Sequence, residues 1–393
     1  MRLNCRPTAA AISLLAALAF APPAQGQMSR LAVSLDTLVA RAERDSLDPV
    51  AQYELGIGYW ASRRYDDAER VLRRSVAIEP KTAAGYLALS FLPYARRPKL
   101  WLEEARGRIP DELKEAVAES DRLYRRAFMI DPMVDLQIYG LLLPPLPGRS
   151  YDRVTQSLLQ GYDGFFSGQY LAAFNGFDAV LNSIPPKDRT AKAAGTLLWY
   201  HGLAAAHIEQ YGTAAHDVRI LLERVMAREK TDSIAVFATL RSTEFRYVLA
   251  ALEQEAGNRD SALVHFQEVL TTDLGQYMAH VRMAAIYTFR QQWDLAIEER
   301  RRAIVTNPDD SSLLYDLGYT LAQAQRLAEA RDVLVRAMTL NPLNCRIPYV
   351  LGRVQLALRD PAARGTLEHF VAMAPSTFRE QVAEARTSLA SLP

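Results

Sequence analysis

The sequence predicts an all-α protein built as a solenoid of antiparallel helix pairs, and three observations predict it. A pattern recurs at a displacement of 34 residues, so that Tyr287, Ala296, Ala303 and Pro308 become Leu321, Ala330, Ala337 and Pro342. In the second copy Leu317 and Leu321 share one helix face, while Ala330, Leu334 and Ala337 form a matching stripe on the next helix. Small residues, Gly318, Ala330 and Ala337, stand where the two helices must approach, and a larger side chain there would overpack the contact at about 1–3 kcal/mol. Ala324-Gln325-Arg326 is a short turn, and Pro342 ends the second helix because it has no N–H to continue the ladder. One such pair cannot bury both of its faces, whereas a stack of pairs can.

The run Leu317-Gly318-x-x-Leu321, Leu327, Ala330-x-x-x-Leu334-x-x-Ala337 and Pro342 resembles the tetratricopeptide repeat family, whose period is the one found here. The resemblance extends over most of the chain. It implies a right-handed solenoid, and a function of holding another macromolecule rather than transforming one.

Taken in order, residues 1–26 stand apart from the rest. Arg2 and Arg6 give a basic start, Ala9 to Ala21 are almost wholly apolar, and Pro22-Pro23-Ala24-Gln25-Gly26 ends in small residues. This is the pattern of a secretory signal cut after Gly26, and it predicts an exported, periplasmic or secreted protein. Removal of that segment takes the formal charge from +1 to −1, which argues against a nucleic-acid partner. It also leaves Cys345 as the lone cysteine, so stability in an oxidising compartment must come from packing. Apolar content of 49% and charge of 23% are those of a folded protein.

A helix is expected over 28–47, with Leu31, Leu35, Leu38 and Val39 on one side, followed by a clear repeat from Leu55-Gly56 to Pro80. The next unit opens at Leu87-Ala88 and is expected to break at Pro93, with an insertion near 93–118 that carries Trp101 before its second helix returns at Ser120. Together 28–140 form the expected N-terminal sub-array, and the Pro-rich stretch 141–150 the linker after it, because Pro144, Pro145 and Pro147 forbid a regular helix. The C-terminal array is expected over 151–376. Diverged repeats fall at 154–187 and 195–228, and regular ones run from about 243. Thr377-x-x-Glu380 predicts a capping box for a closing helix within 377–393.

Catalytic chemistry has no support in the pattern, so the protein is expected not to be an enzyme and to carry no metal or other cofactor. His201 and His207 are six apart, which does not set them side by side on a helix, and no His-Glu-x-x-His segment, phosphate-cradling glycine loop or Gly-x-Ser-x-Gly elbow occurs. Cys345 has no histidine near it in sequence and reads as structural.

The family resemblance implies that first helices of successive repeats line a concave groove. Carried onto this chain, its positions are Tyr53 and Trp60, then Tyr162 and Phe165, Trp199, Tyr247, Tyr315 and Tyr319, and finally Tyr349 and Arg353. Such a face suits an apolar or aromatic peptide, or a partner helix, in a scaffold or adaptor of the cell envelope. Two other readings stay open: a permanent accessory subunit of an envelope enzyme or secretion complex held by its convex face, and a glycan or small ligand stacked on the aromatic groove; peripheral membrane or envelope-complex association is open to each reading.

Overall fold

The structure is a computed structural model that describes residues 33–105, 108–134, 152–185, 188, 195–231 and 241–392. The described residues form α-helices and two short 3-10 turns, with no strand among them. The expected signal segment and the linker at 141–150 lie outside the described residues, as does the side chain of Trp101.

The helices pair as the period demands. One recurring turn shows why. Gly257, Gln291, Gln325 and Arg359 take positive φ of 86°, 57°, 60° and 56°, and successive members are 34 residues apart. The residue after each sends its N–H back to the carbonyl five positions earlier, as in Arg326 to Leu321 at 2.9 Å and Asp360 to Gln355 at 2.8 Å. This left-handed step satisfies carbonyls that the helix end leaves orphaned and reverses the chain in three or four residues. Arg63, Gly168 and Glu209 do the same in the earlier pairs.

Helix contact follows the small residues. Ala296, Ala303, Ala330 and Ala337 have no exposed surface. A Cβ on Gly318 would lie 2.5 Å from Leu334 Cγ, so that leucine occupies the space a side chain would need. At Gly176 the obstacle is backbone, because a Cβ would meet Gly161 N at 2.6 Å.

The described helices fall into two compact units. The first, within residues 87–274, holds most of α4 (Ala83–Arg96), then α5 (Leu100–Ala105), α6 (Lys114–Ile130), α7 (Arg153–Phe166), α8 (Tyr170–Asn182), α9 (Gly195–His207), α10 (Tyr211–Thr231), α11 (Ser242–Glu255) and α12 (Arg259–Thr272). Its aromatic core gathers Phe165, Phe177 and Tyr200 between α7, α8 and α9. Pro93 does not break α4 as expected. The helix runs on to Arg96, because a proline near the last turn forfeits a single ladder bond.

The second unit is discontinuous. It joins α1 (Leu35–Arg44), α2 (Pro49–Ala61) and α3 (Tyr65–Ile78) to α13 (Tyr277–Phe289), α14 (Trp293–Thr306), α15 (Ser311–Gln323), α16 (Leu327–Leu340), α17 (Arg346–Ala357), α18 (Ala363–Met373) and α19 (Arg379–Ser391). Residues 33–86 therefore group with 275–392, not with the remainder of a 28–140 sub-array. Polar contacts give the reason. Lys81 Nζ donates to both carboxylate oxygens of Asp316 at 2.6 Å, Asn341 Nδ2 donates to the Ala77 and Ile78 carbonyls at 2.9 and 3.3 Å, and Ser376 N and Oγ donate to Asp45 at 2.8 and 2.9 Å.

The expected capping box before α19 does not form, since its N-cap position is Phe378 and makes no side-chain cap bond. A 3-10 turn over Ser376–Phe378 leads straight into the helix, and the polar groups of Ser376 are spent on Asp45.

Candidate binding cleft

Two successive first helices of the second unit carry the residues of interest at i and i+4, which sets each pair on one face. Tyr315 and Tyr319 of α15 lie near-parallel with ring centroids 6.2 Å apart. On α17 the Arg353 guanidinium sits 5.6 Å above the ring of Tyr349, whose hydroxyl donates to Glu384 Oε2 at 2.5 Å. Arg353 Nε lies 3.3 Å from the other Glu384 oxygen, so cation, ring and carboxylate hold one another in place.

These four residues line a cleft of about 860 Å³. Leu47, Pro49, Val50, Ile78 and Glu79 line it as well, as do Thr377, Phe378 and Gln381. Tyr319 is 44% exposed and Val50 54% exposed, so apolar surface faces solvent inside the cleft.

Its cations are paired within the chain. Arg41 pairs with Glu54 at 2.5 Å, Arg346 with Glu79 at 3.3 Å and Arg353 with Glu384. The Asp48 carboxylate is engaged by the Val50 N–H at the start of α2. Burial pushes the Tyr315 hydroxyl up to about 12, with Arg346 opposing the rise. Tyr349 is also raised, first by burial and then by its bond to Glu384. Both phenols are thus neutral hydrogen-bonding groups over the ordinary pH range. Cys345 also lines the cleft, and burial pushes its thiol up to about 12, which keeps it protonated and unreactive.

The other residues expected in a groove do not join this cleft. Trp60 and Phe165 are buried, and each folds back edge-on across its own turn, Trp60 against Tyr65 at 6.3 Å and Phe165 against Tyr170 at 5.7 Å. Tyr247 has no exposed surface and its hydroxyl donates to the Met129 carbonyl at 2.5 Å. Tyr162 and Trp199 are half-buried, edge-on to Tyr200 at 5.2 Å and Phe245 at 5.8 Å. Tyr53 is half-buried on α2. Sequence reasoning missed the wall at 47–50 and 78–79, because Lys81 and Asp316, which bring the segments together, are 235 positions apart and no local spacing encodes that.

His201 and His207 are packing residues. His201 Nδ1 lies 2.5 Å from Asp217 Oδ2 and its ring stacks on Phe174, while His207 stacks on Tyr170 at 4.0 Å. Among the described residues no three His, Cys, Asp or Glu side chains are grouped so as to hold a metal ion. No described helix is long and apolar enough to cross a membrane.

Helix pairs joined by left-handed turns, 34 residues apart from Gly257 to Arg359, and a cleft on their first helices, define a tetratricopeptide-like helical-repeat protein. No protein-family model matches the chain. Over 110 residues it is 30% identical to the type IV pilus assembly protein PilF of Pseudomonas aeruginosa, a match that covers 28% of this chain and 44% of that relative. The chain thus spans less than half the length of this curated relative. Among solved structures it is similar to the C-terminal part of a TPR repeat-containing protein from Cytophaga hutchinsonii, at 13% identity and a TM-score of 0.47 over 61% of this chain and 86% of that one. MamA from Desulfovibrio magneticus matches at 19% identity and 0.37 over 50% and 97% of the two chains, and yeast Tom70 at 13% and 0.34 over 91% of each. The assignment of fold rests on this chain's own turns and helix pairs.

Proposed function

We propose that the protein is a non-catalytic adaptor of the cell envelope that holds an apolar, aromatic-bearing segment of a partner protein in the cleft of its second unit. The observation that carries this reading is the convergence of Tyr315, Tyr319, Tyr349 and Arg353 on one open cleft that aliphatic side chains also line. Its volume lies within the range of about 300–1,000 Å³ found for ligand pockets. Tyrosines bury large area at small entropic cost and are frequent interface anchors. The lining cations Arg41, Arg346 and Arg353 already have carboxylate partners, which leaves the aromatic and aliphatic surface as the larger source of affinity. The envelope setting is supported by the signal-like pattern of residues 1–26 and by the similarity to a pilus assembly protein.

A screen of amidated, acetylated 12-residue peptides against the chain from residue 27 onward tests the reading. Uncharged peptides with aromatic and aliphatic residues should bind, and Tyr319→Ala or Arg353→Ala should weaken them about tenfold, or about 1.4 kcal/mol, with helicity unchanged. Peptide affinity untouched by both substitutions would dismiss the cleft as the site. The accessory-subunit reading draws on Val305 and Leu340, 82% and 48% exposed at the ends of α14 and α16, and predicts binding lost on changing those residues instead.

A further inference from the structure

The cleft is assembled from two pieces of chain, 33–86 and 275–392, and the contacts that join them have an unusual property. Each carboxylate and amide of the latch also has a partner on its own side, and the two cations, Lys81 and Arg346, reach solvent with side chains 33% and 54% exposed. Asp316 receives Lys81 from across the junction and Arg300 Nη1, at 2.8 Å, from its own array. Glu79 meets Asn344 and Arg346 across the junction and accepts the N–H of its neighbour Lys81 at 3.3 Å. Asp45 accepts from Ser376 across it and from Arg44 Nε at 3.1 Å beside it. Asn341 gives its amide to the end of α3 while its Oδ1 accepts the Leu343 N–H at 3.1 Å, and Asn344 Oδ1 likewise accepts the Arg346 N–H at 3.0 Å.

Parting the two pieces therefore strands no buried charge, which is the event that makes broken internal ion pairs costly. The carbonyls of Ala77 and Ile78 end a helix and can turn to water. Polar junctions of this kind are characteristic of domains that move on one another, whereas permanent junctions are mostly apolar. On the arm's side Leu47, Pro49, Val50 and Ile78 instead line the cleft.

We infer that residues 33–82 are a releasable arm that closes over the cleft and opens to admit and discharge the bound segment. The movement itself is independent of any ligand; only its use in gating rests on the cleft being the binding site. The chain leaves the arm through the turn at 79–82, where Thr82 N donates to the Glu79 carbonyl at 3.1 Å.

Spin labels at Glu43→Cys and Glu380→Cys, both exposed positions, measure the distance across the junction in a Cys5→Ser background, where buried Cys345 stays unlabelled. Wild type should give a short, dominant distance. Asp45→Ala, Lys81→Ala and Asn341→Ala together should raise the longer-distance population by at least about tenfold with helicity retained, as loss of several net-stabilising hydrogen bonds requires. Should the triple variant fail to fold, each single substitution should give a smaller rise in the same direction. A distance unchanged by every substitution, or already broad in wild type, would overturn the arm.

A second arm of the experiment joins Asp45→Cys to Ser376→Cys with a short bismaleimide and follows exchange of an uncharged peptide from the screen above. Locking should slow exchange at least about tenfold, and unaltered exchange would overturn gating. If no peptide binds wild type, the cleft reading fails while the distance measurement still decides the arm.

Discussion

Gln325 shows how much a single residue of this fold is asked to do. Its φ of 60° costs a side-chain-bearing residue about 1–2 kcal/mol, and the turn needs it all the same. Gln325→Gly should therefore stabilise the protein by about 0.5–1 kcal/mol after the entropic penalty of glycine, whereas Gln325→Val should destabilise it, as read by denaturant midpoint. Burial decides two other substitutions. Ala330 has no exposed surface, so Ala330→Trp should lose about 1–3 kcal/mol or more by overpacking, while Tyr319→Ala, at a 44% exposed position, should change stability by no more than about 0.5 kcal/mol.

Titration at this scale has a definite sign. Burial alone would raise the Asp45 carboxyl, but the bonds from Ser376 and Arg44 outweigh it and hold the group below its ordinary 3.8. Its contribution is thus present above pH 3.8 and fades as the pH falls through the lower folded value, so acid should loosen the arm and Asp45→Asn should abolish that part of the acid response. Tyr315 works in the opposite sense. Its folded value of about 12 against an ordinary 10.0 gives a contribution present below pH 10.0 and lost as the pH rises toward 12, which Tyr315→Phe should remove from an alkaline melting series.

At the scale of elements, the helix pairs were legible because the stripe of Ala330, Leu334 and Ala337 and the small residue at Gly318 are local demands of one helix crossing. The left-handed turn position was not, since Gln291, Gln325 and Arg359 are ordinary polar residues whose conformation follows from the reversal they sit in. Trp60 and Phe165 escaped for another reason: an aromatic near the end of a first helix serves groove contact or the packing of its own turn, and sequence shows the same letter for both. The close approach of α7 and α8 gives a test at this level. Gly176→Ala would set a methyl group against the backbone of Gly161 and should cost about 1–3 kcal/mol, more than Gly212→Ala, where nothing lies within 4 Å.

For the whole molecule, the solenoid reading captured the helix pairs but not the grouping of residues 33–86 with 275–392. Half of the cleft was accordingly visible in advance, as Tyr315, Tyr319, Tyr349 and Arg353, and the half built from Leu47, Pro49, Val50 and Ile78 was hidden. Repeats announce their nearest neighbours, because each unit needs the next one to bury its face. They carry no local signal for a contact such as Lys81 with Asp316, which depends on where the accumulated turns bring the chain.

The most direct test of the cleft as a partner site is site-specific photo-crosslinking in the native host, with p-benzoylphenylalanine placed at Tyr319 or at Val305. The cleft account predicts a crosslink from position 319 to one apolar segment of one partner, identified by mass spectrometry and lost in Arg353→Ala, with none from position 305. Crosslinks to a partner from position 305 and none from 319 would contradict it and give the surface around Val305 the binding role.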